Sequence, residues 1–143
     1  MTSDPLPNTP SHKVLMHVGF GDHQVADVSA EVQARTIGAR IHQPALAPDR
    51  ARFTGRPYPD ASAPAPFQGL ASLGEPGYSA DGSGLVFWDT RRTPPPPAGN
   101  VPPREGQDPH EAPRRSAAAR RQKDAFLRPG GKVIDVCGGP CGA

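Results

Sequence analysis

A chain of 143 residues has room for one small domain and is short for a complete α/β enzyme. Only 35% of it is hydrophobic, while 20 prolines and 16 glycines make up about a quarter, so it has little apolar surface to set against the entropy of ordering, and ordered pieces are expected in place of a compact independent core. A formal net charge of +2 is too small to imply a nucleic-acid partner, and no run of 18 apolar residues exists to span a membrane.

Residues 1–12 are polar and proline-rich and read as a lead-in loop. They lack a basic n-region and an apolar h-region, so they are not a signal peptide. Taken literally the chain stays in the cytoplasm; if it is the tail of a longer protein, the preceding part decides the compartment. Residues 13–20 (KVLMHVGF) form a short apolar run of the right length for a buried parallel strand. Gly19 and Gly21 bracket its end, where the chain must turn sharply.

Residues 26–39 then read as a helix. Val25, Val28, Val32 and Ile37 approximate one apolar stripe, Glu31 and Arg35 sit at i, i+4 on the outside, and Gly38 can end it. Strand, glycine turn and helix make half of a βαβ unit, which places the chain in the α/β class.

The middle is dominated by proline: 15 of the 20 lie between Pro44 and Pro113, too often for a regular element over most of residues 40–83. Residues 84–90 (GLVFWDT) are a second strand candidate, with Phe87 and Trp88 as its core aromatics. Pro94 to Pro97 is a stiff polyproline run, read as a spacer in preference to an SH3-type ligand. Residues 98–113 read as loop. Residues 116–127 are the strongest helix, with Ser116 as N-cap and Pro129-Gly130-Gly131 as the stop. Arg114, Arg115, Arg120, Arg121 and Lys123 are placed on that helix, as a solvated face in preference to a phosphate-binding patch. Residues 132–136 make one last short strand. The segments are therefore 1–39, 40–83 and 84–143.

Three sets of residues have chemical potential. Asp22 follows an apolar strand directly, at the rim where parallel sheets bind ligands. There a carboxylate can accept a histidine Nδ1–H and stabilise an imidazolium, or it can simply cap the next helix; the local residues favour neither. His110, in Gln107-Asp108-Pro109-His110-Glu111, lies in a loop after the second strand and before the long helix, free to reach a neighbouring strand end. Taken by itself it is more often plain surface. Cys137 and Cys141, four residues apart, suit a small disulfide or two idle thiols better than a redox pair. A zinc site needs more ligands, and His12, His17, His23, His42 and His110 show no paired spacing, so neither metal nor cofactor is expected. His17 reads as a core or edge residue of its strand, and His23 as exposed loop.

Strand–Asp–helix followed by strand–His–helix is the order of the last two triad members in α/β-hydrolases. Residues 13–39 (KVLMHVGFGDHQVADVSAEVQARTIGA) resemble the acid-bearing segment of α/β-hydrolase-fold serine hydrolases of bacterial lipase or esterase type, and DPHEAPRRSAAARRQKDAFLRPGGKV resembles their His-bearing loop and final helix. The resemblance covers roughly 60 residues in two blocks. It implies Asp22 as triad acid and His110 as general base. It further implies an incomplete α/β-hydrolase-like piece with two or three short parallel strands, two helices and a long proline-rich irregular middle.

The departures are specific. No G-x-S-x-G occurs, no HGGG-type oxyanion loop is present, and the acid-to-histidine gap is long. Ser29, Ser72, Ser79 and Ser83 all lack the strand–elbow–helix context of a nucleophile. The expectation is a C-terminal fragment of a carboxylic-ester hydrolase, inactive alone, whose partner is the missing N-terminal half on the same or a neighbouring chain. The competing expectations are a non-catalytic proline-rich interaction segment and, less favoured, a metal- or redox-dependent module built on the cysteines.

Overall fold

A computed structural model describes residues 4–51, 70–92 and 108–143. Pro94 to Pro97, Gln107 and much of the proline-rich insertion lie outside these residues. In chain order the elements are β1 (Leu15–Gly19), α1 (Asp27–Ile37), β2 (Arg40–Ile41), α2 (Pro48–Ala51), β3 (Ser79–Ala80), β4 (Gly84–Asp89), α3 (Ala112–Arg115), α4 (Ala117–Leu127), β5 (Val133–Ile134) and β6 (Cys141–Gly142).

The main sheet is parallel and centres on β4. β1 pairs along one side of it, Leu15 opposite Gly84 through Gly19 opposite Trp88. On the other side β2 pairs with its first residues and β6 with its last. Neighbours on both edges and helices on both faces explain why all six residues of β4 are buried, and why its sequence is a continuous apolar run without polar alternation. Leu85 and Phe87 pack with Phe20 and Ile41 beneath Ala30 and Ala34 of α1. Val86 and Trp88 point to the opposite face and pack with Ala119 of α4 and Cys141. The few apolar residues are thus concentrated on one strand and its neighbours, and they do build a core with Trp88 and Phe87 fully enclosed. This corrects the expectation of ordered pieces alone.

The helix expected over residues 26–39 forms as α1 and Ile37 packs on the core, but the valines of the expected stripe face outward. Val25, Val28 and Val32 are exposed, whereas Ala30, Ala34 and Glu31 are buried. The gap between α1 and the sheet is already filled by Phe20, Phe87, Leu85 and the half-buried Met16 and Val18, so the small alanines fit against them and the valines do not. Gly38 closes the helix in the left-handed conformation, as expected.

The stretch 40–83 holds more structure than its prolines suggest: β2, the single turn α2, and β3, each too short for periodicity to reveal. Residues 98–113, read as loop, end in the short helix α3. Ser116 is extended and its Oγ accepts the Ala119 amide, so it caps α4 as expected but also separates α3 from α4. Arg114 and Arg115 therefore sit on a different helix from Arg120, Arg121 and Lys123. The strand expected over residues 132–136 forms as β5 but pairs antiparallel with β3 outside the parallel sheet, over a small cluster of Leu73, Ala80 and Val133, and a further strand, β6, follows it. No helix among the described residues is long and apolar enough to cross a membrane.

Candidate active site

β1 ends where the chain has to reverse before α1. Gly21, at φ +79°, takes the left-handed conformation that this turn requires. The turn delivers Asp22 just past the carboxyl end of the strand, with its side chain only 7% exposed. Its two oxygens do separate jobs. Oδ1 accepts the Gln24 and Val25 amides at 2.7 and 3.0 Å, holding the approach to α1. Oδ2 accepts from His110 Nδ1 at 2.7 Å. The capping-type role and the histidine-orienting role, which local sequence could not separate, are filled by one residue with different atoms. The helix itself starts after Ala26 without a side-chain cap bond.

His110 is held from its own side as well. Asp108 Oδ1 accepts the His110 amide at 3.1 Å and the His23 amide at 3.4 Å, and Oδ2 accepts from the Gln24 side chain at 2.9 Å. Asp108 thus clips the histidine loop to the acid turn across 85 residues of chain. Burial works against its charge, but the hydrogen bonds from Gln24, His110 and His23 win and keep its carboxyl below the ordinary range. The bond to Asp22 fixes the Nδ1–H tautomer of His110 and leaves Nε2 with the basic lone pair.

Gly19 explains how the histidine loop comes so close. A Cβ on Gly19 would lie 2.7 Å from the Pro109 carbonyl oxygen, which is engaged by the Ala112 amide that opens α3. Gly19→Ala is therefore expected to push residues 109–112 away from β1 and lengthen the Asp22–His110 bond, at about 1–3 kcal/mol of stability. Heteronuclear NMR would read both effects; a downfield His110 Nδ1 proton unchanged in the variant would count against this close packing.

A second carboxylate, Asp27, reaches back into the same turn and accepts the Gly21 amide at 3.0 Å. Burial, aided by the charges of Glu31 and Asp22, pushes its pKa up to about 7. On the other face of β1, burial lowers the pKa of His17 to about 4, against a hydrogen bond from its Nε2 to Gln122 Oε1. The Gln122 amide donates onward to the Ile134 carbonyl, so the acceptor is Oε1 and the proton is on Nε2 of His17.

The two groups affect stability with opposite signs. Folded Asp27 keeps its proton after the unfolded chain has lost it, so its contribution is present below pH 4 and is lost as pH rises towards 7. Folded His17 stays neutral after the unfolded chain has charged, so its contribution is present above pH 6.5 and is lost as pH falls towards 4. Asp27→Asn is accordingly expected to be the more stable protein at pH 8, by on the order of 2 kcal/mol, with the difference vanishing near pH 4. Urea melts of both proteins across that range test it, and a pH-independent difference would refute it.

Asp22 and His110 border a groove of about 410 Å3 that runs the length of β1. Its described lining has neither a hydroxyl nor a thiol. His17 lines this groove; His23 is half-buried outside it.

The cysteines stand apart. Cys137 and Cys141 form a disulfide, with the Cys137 and Gly138 amides both donating to Asp135 Oδ1. Buried His42 lies beside them, and its two nitrogens are engaged by the Tyr78 hydroxyl and the Gly139 carbonyl.

Sequence reasoning singled out Asp22 and His110, and the structure brings them together. It missed Asp108, Asp27 and the steric role of Gly19. Asp108, two residues before His110, was the one with a readable signal. The chain matches no protein-family model, no curated protein and no solved structure.

Proposed function

We propose that this chain supplies the acid and the histidine of an α/β-hydrolase-like carboxylic-ester hydrolase whose serine lies on another stretch of polypeptide. The observation that carries the reading is the 2.7 Å bond from His110 Nδ1 to the buried Asp22 carboxylate beside the end of a parallel strand. In such a hydrolase His110 Nε2 takes the serine proton as the Oγ attacks the ester carbonyl, and Asp22 steadies the imidazolium that results. The proton then passes to the leaving alcohol. A water deprotonated by the same nitrogen attacks the acyl-serine, releasing the acid and restoring the serine. Alone, with no nucleophile to activate, the chain is expected to hydrolyse nothing.

The competing reading, a non-catalytic interaction segment, rests on the proline-rich composition of the middle of the chain. A linker has no need of a buried carboxylate aimed at a histidine and clipped by a second aspartate. The test is co-expression with the polypeptide encoded immediately upstream, assayed on p-nitrophenyl butyrate. Hydrolysis that needs both chains and falls at least about 10^3-fold in His110→Ala supports the reading. An upstream polypeptide without G-x-S-x-G, or hydrolysis indifferent to His110, defeats it.

A further inference from the structure

Three metal-binding side chains converge away from the dyad. His42 directly follows β2, and its main-chain amide donates to the Leu85 carbonyl of β4. Its ring reaches the C-terminal loop, where Nε2 bonds the Gly139 carbonyl at 2.7 Å across 97 positions of sequence. A ring nitrogen of His42 and the sulfurs of Cys137 and Cys141 all lie within 4.8 Å of one another. His42 and Cys141 are each 1% exposed, and Cys137 is half-buried. None of these residues lines the groove beside Asp22 and His110.

The two cysteines are held in place by more than their disulfide. Cys141 belongs to β6 and pairs with β4 opposite Trp88. The Cys137 amide is fixed on Asp135 Oδ1, while Asp135 Oδ2 accepts the Gly77 amide. Opening the S–S bond therefore leaves both sulfurs beside the imidazole, free to part to the roughly 3.8 Å that two thiolates span around a tetrahedral zinc ion. A carbonyl only accepts, so Nε2 of His42 carries the ring proton and Nδ1 accepts from the Tyr78 hydroxyl at 2.9 Å. Whichever nitrogen ligates, the other keeps a partner that aims the ring.

Charge points the same way. Two thiolates and a neutral imidazole cancel a divalent cation, which suits a buried place. The Asp135 carboxylate, which interacts electrostatically with His42, favours a cation here over free thiolates. Neither cysteine begins a helix, the setting that activates a redox-catalytic thiol.

We propose that His42, Cys137 and Cys141 form a zinc site that becomes available when the disulfide is reduced. A thiolate of a dithiol reductant attacks the half-buried Cys137 sulfur, the S–S bond breaks, and Cys141 leaves as a thiolate. The second thiol of the reductant then attacks its own sulfur in the mixed disulfide and releases Cys137. The reductant departs as a cyclic disulfide, having given two electrons to the cysteine pair and its two thiol protons to the new thiols. Zinc displaces those two protons and takes His42 as its third ligand, with water in the fourth position. The disulfide closes a loop between residues four apart, whereas the ion ties the end of β2 to β6. This site goes beyond the hydrolase reading and does not depend on it.

The test uses the full chain, reduced with dithiothreitol, freed of it under argon and titrated with Co2+, whose bonds to thiolate give an intense charge-transfer band. The expected result is one cobalt ion per reduced chain, displaced by an equivalent of Zn2+, and no band in the oxidised chain. His42→Gln is expected to weaken cobalt binding at least about 100-fold. In the wild-type chain, zinc is expected to shift the 15N resonances of the His42 ring. Protected amides of Leu85 and Phe87 show in each sample that the fold is intact.

A folded, reduced chain without the band overturns the proposal. So does unchanged binding by folded His42→Gln, or a His42 ring that zinc does not move, since the two cysteines would then hold the ion by themselves. Where the variant does not fold, the ring shifts of the wild type decide. If reduction alone unfolds the chain, zinc must restore the protection of Leu85 and Phe87, and its failure to do so also counts against the site.

Discussion

Asp22→Asn is expected to lower ester hydrolysis by the reconstituted hydrolase about 10^3–10^4-fold with little change in the fold. The reason lies in how the carboxylate divides its oxygens. Oδ1 is held by the Gln24 and Val25 amides, which can only donate. An asparagine will keep its single carbonyl oxygen there and turn its amide nitrogen towards His110. That nitrogen donates where Oδ2 had accepted, so His110 must present Nδ1 as acceptor and carry its proton on Nε2. The base that takes the serine proton is then blocked, although nothing has moved. The kcat/KM of the variant gives the magnitude, and the 15N shifts of the imidazole give the tautomer. A loss of less than about tenfold, or a His110 that stays protonated on Nδ1, would show that Asp22 does not orient this ring.

The largest effect expected on stability comes from a residue outside the dyad. Arg50 of α2 donates from Nε and from one terminal nitrogen to the two oxygens of Asp89, at 2.6 and 2.9 Å, and both side chains are about 6–7% exposed. The same guanidinium bonds the Arg92 carbonyl and lies 5.5 Å from the centre of the Phe20 ring. Arg50→Met leaves the Asp89 charge buried with little beyond the Arg91 amide to answer it, at an expected cost of about 3–5 kcal/mol. Out of a net stability on the order of 5–15 kcal/mol, that is a large share.

The double variant Arg50→Met/Asp89→Leu removes both charges and is expected to regain most of the loss, because the cost lies in the orphaned carboxylate more than in the missing attraction. Denaturant melts of wild type, single and double variants decide it. A double variant no better than the single would mean that the guanidinium stabilises through its packing on Phe20. Phe20 directly precedes the turn that holds Asp22, so the single variant is also expected to broaden the His110 resonances.

The residues that sequence located correctly are those whose signal is local. β1 and β4 are apolar runs of strand length ended by turn residues, and α4 carries its own cap and stop. Asp22 and His110 are not decided by their local residues; the order strand–Asp–helix then strand–His–helix, and the hydrolase resemblance that goes with it, single them out. The departures have two physical causes. Apolarity alone would turn the valine stripe of α1 inward, yet the inward face is chosen by the space left above Phe20, Phe87 and Leu85. β2, β3 and α2 escaped notice because two to four residues carry no period; long-range pairing holds the strands in place.

The α/β class, the long elements and the positions of Asp22, His110 and the two cysteines are read from propensities, order and spacings along the chain. That Asp22 meets His110, that Asp108 clips the two loops together, that Arg50 meets Asp89 and that, among the described residues, no strand pairs with the outer edge of β1 are matters of the folded structure. Those outcomes depend on contacts between residues tens of positions apart in the chain, and such contacts are set by how whole elements pack.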